Sequence, residues 1–122
     1  MPLDGGRHTQ NCDVRLNEVH EGDCIQLLRE LPDECAQLVI ADPPYNIGPR
    51  FGGAKEWQHD DAWDAWCATW LAECQRVLAP DGNLFVYGIH HYLCFVQVRC
   101  YELGLRYRRQ NGWVFSVRVR PA

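Results

Sequence analysis

Apolar residues occur in short continuous runs and in longer segments where they recur every three or four positions. Two short runs, 36–41 (AQLVIA) and 84–87 (LFVY), are bounded by turn residues and are typical of strands buried on both faces. Helical spacing indicates helices over 24–31, 61–78 and 90–103. The pattern is clearest in the second of these, whose apolar positions are Trp63, Trp66, Trp70, Leu71, Cys74, Val77 and Leu78.

The order of these segments predicts the fold class. Strands that alternate with helices favour an α/β fold with a mainly parallel sheet. Residues 19–23 could add a short strand, and residues 79–82 (APDG) indicate a turn after the central helix. Segments 105–109 and 113–119 alternate apolar with polar residues, which predicts a terminal antiparallel strand pair. We divide the chain into a polar lead-in, 1–17, and one catalytic part, 18–122.

Composition narrows the class of protein. The 122 residues are 47% hydrophobic and 23% charged, ordinary values for a globular domain. The sequence has neither an apolar stretch of membrane-spanning length nor a signal-peptide core, so we expect a cytoplasmic protein without membrane contact. The net charge of −4 divides into −9 over 1–98 and +5 over 99–122. The basic end could meet phosphate, although charge alone favours a solvated strand pair.

The metal-binding residue types do not predict a metal site. Seven cysteines are scattered without a CxxC pair, which favours reduced core residues over disulfides or zinc. Asp60, Asp61 and Asp64 fit better as negative charge near the start of a helix. His90 and His91 stand at another helix start, where a capping or surface role is the simpler interpretation.

The residues most suggestive of chemistry are 42–45, DPPY, directly after the first predicted strand. Ligands of open α/β sheets bind at that end of the strands. Consecutive prolines restrict the backbone and remove two N–H donors, which leaves a carbonyl available to a ligand. Asp42 and the Pro43 carbonyl could each accept one N–H of an exocyclic amino group, and Tyr45 could stack on a base that has left the duplex. The alternative is a turn without chemistry.

The wider sequence resembles the amino-methyltransferases of DNA that carry DPPY before their target-recognition region. The matching segments, over about 18–115, are VHEGDCIQLLRELPDECAQLVIADPPYNIG, the tryptophan-rich helix, RVLAPDGNLFVYG and ELGLRYRRQNGWVF. The resemblance implies a partial Rossmann-like fold with helices on both sheet faces. It also implies methyl transfer from S-adenosylmethionine to double-stranded DNA, with DPPY favouring adenine N6 over cytosine N4.

The same resemblance assigns the site residues. Asp42, Pro43, Pro44 and Tyr45 correspond to the catalytic residues that hold the target amine. In the turn 22–24, Asp23 and Cys24 match positions near the adenosine of the cofactor. Asp42 is also assigned to cofactor binding. Trp57 could lie near the cofactor or the base. No metal is implied.

One family feature is missing from the sequence. A glycine-rich FxGxG turn should follow the recognition region, and residues 51–53 (FGG) lack the strand that must precede it. We therefore expect a truncated chain or one part of a split enzyme, weak cofactor binding by the isolated chain, and association with itself or with a complementing chain. A non-enzymatic interaction module remains the alternative from another class. Glutamine methylation of proteins is disfavoured because it goes with NPPY.

Overall fold

Three helices and two strands form the described part of the chain. The computed structural model describes residues 16–47, 57 and 59–112. The elements are α1 (Cys24–Arg29), β1 (Ala36–Ala41), α2 (Asp60–Val77), β2 (Leu78–Val86) and α3 (His90–Glu102). The two strands pair in parallel, which requires a crossover connection, and α2 provides it. This arrangement confirms the predicted α/β class with a parallel sheet.

Local hydrogen bonds explain where the short helices begin and end. Asp23 is the N-cap of α1, and its Oδ1 accepts the backbone N–H groups of Ile25 and Gln26 at 2.9 and 3.0 Å. At the end of α3, Gly104 has φ +76°, a conformation that glycine adopts without a Cβ penalty. The backbone N–H of Gly104 donates to the Tyr101 carbonyl, and that of Leu105 donates to the Cys100 carbonyl. These two hydrogen bonds form a Schellman motif.

β2 contains an irregularity that the sequence pattern did not predict. Ala36 pairs with Leu78, but Leu38 pairs with Asn83, so the β2 side carries extra residues between these two pairs. Residues 79–82, which we predicted to be a turn after the helix, lie opposite the single residue Gln37. The structure places them within a strand of nine residues, because α2 ends at Val77 and the chain pairs with β1 immediately.

The core lies between α2 and one face of the sheet. Along α2, the buried side chains recur at helical spacing and are Trp63, Cys67, Trp70, Leu71, Cys74 and Val77. Ile25 of α1 and Tyr92 and Val96 of α3 join the same cluster. Half-buried strand residues pack against it from the sheet, namely Val39, Ala41, Leu84 and Val86.

The other face of the sheet is exposed among the described residues. Leu38 and Ile40 of β1 are 55% and 62% exposed, and Phe85 of β2 is 52% exposed. The expectation of strands buried on both faces, with helices on both sides, is therefore not met in this part of the chain. The reason is that all three helices contribute to the single cluster around α2, which covers one face only.

Two predicted strands are not seen. Residues 19–23 carry no strand, and Val19 is 99% exposed. Residues 105–112 carry neither helix nor strand, so the first half of the predicted terminal pair is wrong. These residues are largely exposed, and among the described residues they pair with no strand. The second half, 113–119, and most of the polar lead-in lie outside the described residues.

None of the six described cysteines is in a disulfide. The prediction of core positions is confirmed for Cys67 and Cys74 and is wrong for Cys24, Cys35 and Cys94, which are exposed. Cys67 and Cys74 are buried in α2, and burial raises the pKa of their thiols to about 12 and about 11. Burial disfavours the thiolate, which is the nucleophilic and metal-binding form of cysteine. These two residues therefore serve as small core side chains.

Candidate nucleobase-amine site

The DPPY residues lie in a loop at the carboxyl end of β1. The strand ends at Ala41, whose carbonyl accepts the backbone N–H of Tyr87 at 2.9 Å just beyond the end of β2. Residues 42–47 then continue without helix or strand. The paired strand ends thus bring Tyr87 and Gly88 next to the loop, at the sheet edge where ligands of α/β proteins bind.

Asp42 and Tyr45 are joined by a short hydrogen bond. The Tyr45 hydroxyl donates to Asp42 Oδ1 at 2.6 Å, within the range of charge-assisted bonds. The Asp42 side chain is exposed, so its other carboxylate oxygen stays open to a ligand. The hydrogen bond to Asp42, and to a smaller extent burial, raise the pKa of Tyr45 to about 12. The tyrosine therefore remains a hydrogen-bond donor throughout the neutral pH range.

The two proline carbonyls of the motif have different environments. The indole N–H of Trp63 donates to the Pro44 carbonyl at 2.9 Å, across from α2 to the loop. By contrast, within the described residues the Pro43 carbonyl accepts no hydrogen bond. The structure thus satisfies one carbonyl internally and leaves the other as an acceptor next to the Asp42 carboxylate.

An aromatic cleft borders the loop. Pro43 and Tyr45 line it from the loop, Tyr87 from the end of β2, and Trp63 and Tyr92 from the two helices. The ring centroids of Trp63 and Tyr92 lie 5.0 Å apart. Trp63 and Tyr92 are buried, so Tyr45 and Tyr87 are the lining residues that keep ring surface available to a planar heterocycle. Sequence reasoning missed Tyr87 and Tyr92, and treated Trp63 only as core because its spacing matched the apolar stripe of the helix.

Asn46 fixes the end of the loop. It adopts φ +56°, in the left-handed region that asparagine tolerates better than most residues, and its side chain is buried. Its Oδ1 accepts the backbone N–H of Trp57 at 3.1 Å. Trp57 in turn packs on Trp66, with ring centroids 4.7 Å apart. Trp57 is thereby attached to α2 and to the loop, and a role at the cofactor or base stays a prediction.

The predicted cofactor turn is separate from this loop. Asp23 and Cys24 are exposed at the start of α1, and within the described residues no hydrogen bond joins them to residues 42–45. Asp23 uses Oδ1 to cap the helix. The structure therefore shows a helix-capping role for this carboxylate that the resemblance to the methyltransferases did not imply.

The acidic residues near the start of α2 make defined contacts with α3. Asp60 and Asp61 lie in the first turn of α2, as predicted. The Tyr92 hydroxyl donates to Asp60 at 3.0 Å, and Arg99 pairs with Asp64 at 2.7 Å. His90 and His91 are exposed at the start of α3, and neither caps the helix with its side chain.

Across residues 16–47, 57 and 59–112, no group of three or more His, Cys, Asp or Glu side chains is arranged to hold a metal ion. None of the helices in these ranges combines the length and apolar character that crossing a bilayer requires.

Comparison with known proteins identifies the family. The sequence profile of the DNA methylase family matches residues 36–115, which include β1, the DPPY loop, α2, β2 and α3. The chain belongs to the DNA methylase family. Members of this family act on DNA and take the methyl group from S-adenosylmethionine, as the resemblance of the sequence implied.

Three relatives illustrate the match. The DNA adenine methyltransferase YhdJ of Escherichia coli K12 is 35% identical over 82 residues, 67% of this chain and 28% of the relative. The type II methyltransferase M.BamHI of Bacillus amyloliquefaciens is 36% identical over 75 residues, 61% and 18% of the two chains. M.HinfI of Haemophilus influenzae, also a type II methyltransferase, is 29% identical over 121 residues, 88% and 32%. The chain thus spans about a third or less of these relatives.

Proposed function

We propose that this methylase-family chain carries the target-amine site of a DNA methyltransferase that modifies adenine at N6. The observation that carries the proposal is the pair of free acceptors in the DPPY loop. The Asp42 carboxylate is exposed, with Oδ1 held by Tyr45, and the neighbouring Pro43 carbonyl is unbonded within the described residues. The adenine specificity is supported by DPPY and by the similarity to YhdJ, a DNA adenine methyltransferase.

Two acceptors match the chemistry that the amine requires. The nitrogen lone pair of an exocyclic amino group is delocalised into the ring, which makes the nitrogen a weak nucleophile. If Asp42 and the Pro43 carbonyl each accept one N–H, the nitrogen can become more tetrahedral and direct its lone pair at the methyl group. Holding the amine in this geometry lowers the barrier through positioning and electrostatics.

The aromatic residues suit the base. An enzyme that modifies a base within a duplex must first take that base out of the stack. Tyr45 and Tyr87, which border the cleft, can cover the faces of the purine and replace part of its lost stacking. The bond to Asp42 holds the Tyr45 ring by its hydroxyl, so the ring is oriented before DNA binds.

The cofactor turn suits S-adenosylmethionine because its carboxylate can accept a hydrogen bond from a hydroxyl of the adenosine. When bound, this group supplies an electrophilic methyl on a sulfonium. Asp23 commits Oδ1 to the cap of α1, and Oδ2 accepts no hydrogen bond within the described residues. We infer that Oδ2 accepts a hydroxyl of the adenosine, with Cys24 beside it. Asp42 is the other acidic residue assigned to the cofactor. We place it at the target amine, which receives the methyl group.

Double-stranded DNA is the proposed partner. The described segment after α3 carries three exposed basic side chains, Arg106, Arg108 and Arg109. Arginine contacts phosphate and positions a protein on the duplex without reading its sequence. Association with a second copy or with a complementing chain, like the cytoplasmic location, stays a prediction.

Replacement of Asp42 by Ala in the full-length protein tests the proposal. We expect methyl transfer from labelled S-adenosylmethionine to DNA to fall to background while the circular dichroism spectrum stays unchanged. Asp81→Ala is the matched control, because Asp81 is also an exposed aspartate but lies in the β2 irregularity. Near-normal turnover by the Asp42 variant would remove this residue from the site.

The identity of the modified base is tested separately. Product DNA from the unmodified protein is digested to nucleosides, which are separated and identified by mass. We expect N6-methyl-2′-deoxyadenosine. N4-methyl-2′-deoxycytidine would leave the amine site in place and overturn the adenine specificity.

A further inference from the structure

One hydrogen bond connects the core of the protein to the DPPY loop. Trp63 of α2 is 2% exposed, yet its indole N–H reaches the Pro44 carbonyl at 2.9 Å. Neither residue of this pair presents a group to the target amine in the proposed mechanism. Their bond nevertheless lies one residue from the carbonyl that does.

We propose that Trp63 is a positioning residue that aims the Pro43 carbonyl at the target amine. This inference rests on the proposed function. Trp63 does not touch the amine; it acts through the backbone of Pro44.

The geometry of proline transmits the position of the indole. The pyrrolidine ring of Pro44 holds φ near −65°, so ψ is the one soft torsion between the peptide unit before Pro44 and the one after it. Once the Pro44 carbonyl is held by Trp63, the preceding peptide unit, which contains the Pro43 carbonyl, can reorient only through ψ. With a residue other than proline at position 44, both torsions would be soft and the same hydrogen bond would constrain the Pro43 carbonyl less.

The indole itself is held from its other side. Its ring packs against Tyr92, with centroids 5.0 Å apart and an interplanar angle of 51°. Tyr92 is buried, and its hydroxyl donates to Asp60 in the first turn of α2. Because the ring packs between α2, α3 and the loop, it cannot easily move when the loop moves. The indole N–H therefore keeps a fixed position for the Pro44 carbonyl.

Trp70 offers a matched control on the same helix. It is 3% exposed, close to the 2% of Trp63. Its indole nitrogen, unlike that of Trp63, has no nitrogen or oxygen partner within the described residues. Changing either tryptophan to Phe removes a similar buried volume, but only Trp63→Phe removes a hydrogen bond to the loop.

Steady-state kinetics of the full-length protein test the inference. Misplacing a reacting group by an ångström costs up to about a hundredfold in rate. We therefore expect Trp63→Phe to lower kcat about tenfold or more beyond Trp70→Phe, with the KM for DNA within about twofold of the original value. Equal kcat losses in the two variants would overturn the inference, because a general effect on the core would then explain both.

A second substitution covers the case in which Trp63→Phe does not fold. Benzothienylalanine at position 63 keeps the two fused rings and replaces the indole N–H with sulfur. We expect the same loss of kcat with an unchanged thermal midpoint. A kcat equal to that of the original protein would refute the positioning role.

The two proposals fail in different ways. If Asp42→Ala remains active, the proposed amine site is wrong and the role of Trp63 falls with it. If Asp42→Ala is inactive while the benzothienylalanine protein is fully active, the amine site stands and only the positioning role of Trp63 is wrong.

Discussion

The hydroxyl of Tyr45 lies 2.6 Å from Oδ1 of Asp42, so two side chains of the DPPY motif bind each other before any ligand is present. This bond orients the carboxylate, whose Oδ2 accepts no hydrogen bond from the described residues. It also gives Tyr45 a role besides the proposed stacking, because the hydroxyl holds the ring at the loop. The motif is therefore a connected unit in which acid, backbone and ring are positioned together.

The Tyr45–Asp42 bond predicts a pH effect. In the folded protein the pKa of Tyr45 is raised from 10.0 to about 12, because the neutral hydroxyl donates to the carboxylate and is partly buried. The stability that this bond contributes should be fully present below pH 10 and should be lost as pH rises towards 12. Tyr45→Phe should remove that dependence.

Absorbance of tyrosinate measures this titration directly. The difference between the original protein and Tyr45→Phe should contain one ionisation with a midpoint near 12. A difference curve centred at 10.0, the ordinary value, would show that the hydroxyl does not bind Asp42 in solution.

Arg76 is predicted to stabilise the contact between α1 and α2. Its guanidinium donates to the carbonyls of Leu28 and Leu31 and to the carboxylates of Asp33 and Glu73. Because hydrogen bonds to charged groups contribute about 1.5–3 kcal/mol each and the side chain is partly exposed, we expect Arg76→Ala to cost about 2–3 kcal/mol.

Urea unfolding provides the measurement for Arg76. The exposed Arg29 at the end of α1 is the control, and Arg29→Ala should change the free energy of unfolding by less than about 0.5 kcal/mol. Similar losses for both arginines would mean that the contacts of Arg76 with the α1 carbonyls contribute little.

Gly82 is predicted to be required by the irregularity in β2. A Cβ at this position would lie 2.8 Å from Leu78 Cδ1 and 3.0 Å from the carbonyl oxygens of Ala36 and Ala79. Backbone oxygens cannot move as easily as a side-chain end, so Gly82→Ala should destabilise by about 1–3 kcal/mol.

Gly112 is the matched glycine, because a Cβ there meets no atom within 4 Å. We expect Gly112→Ala to leave the thermal midpoint nearly unchanged, while Gly82→Ala lowers it by several degrees, about 4–8 °C per kcal/mol for a domain of this size. An unchanged midpoint for Gly82→Ala would contradict the pairing observed between β1 and β2.

The exposed sheet face is predicted to promote association of the isolated chain. Leu38, Ile40 and Phe85 form an apolar surface on the side of the sheet away from α2. Burial of apolar area favours association by roughly 25 cal/mol per Å², and single charges on the surface oppose it. The double variant Leu38→Lys, Phe85→Lys should therefore shift the mass measured by light scattering towards the monomer.

Val19→Lys is the control for association. Val19 is 99% exposed but lies outside the sheet, so a lysine there should leave the mass distribution unchanged, although it adds one charge and not two. A clean monomer for the original chain at all concentrations would contradict the prediction.

Much of the local structure follows from the sequence alone. The bounds of β1 are those predicted, α2 begins and ends one residue earlier than predicted, and α3 ends one residue earlier. Periodicity and turn residues determine such elements because both act over a few neighbouring residues. The same reasoning placed Asp42 at the end of a strand and assigned Asp60 and Asp61 to a helix start.

Contacts between distant segments could not be derived in this way. The bond from Trp63 to Pro44 spans 19 residues, and Tyr92 reaches Asp60 across 32. The irregularity at 79–82 depends on the register between two strands, and the exposure of Leu38 depends on which side the helices occupy.

The sequence by itself therefore determined the family, the α/β class and the residues of the motif, because these depend on residue type and order. Only the tertiary structure decided which carbonyl of the motif is held by a hydrogen bond and which accepts none from the described residues. That choice follows from where α2 packs against the sheet, and burial of a continuous core controls that packing through many weak contacts spread along the chain.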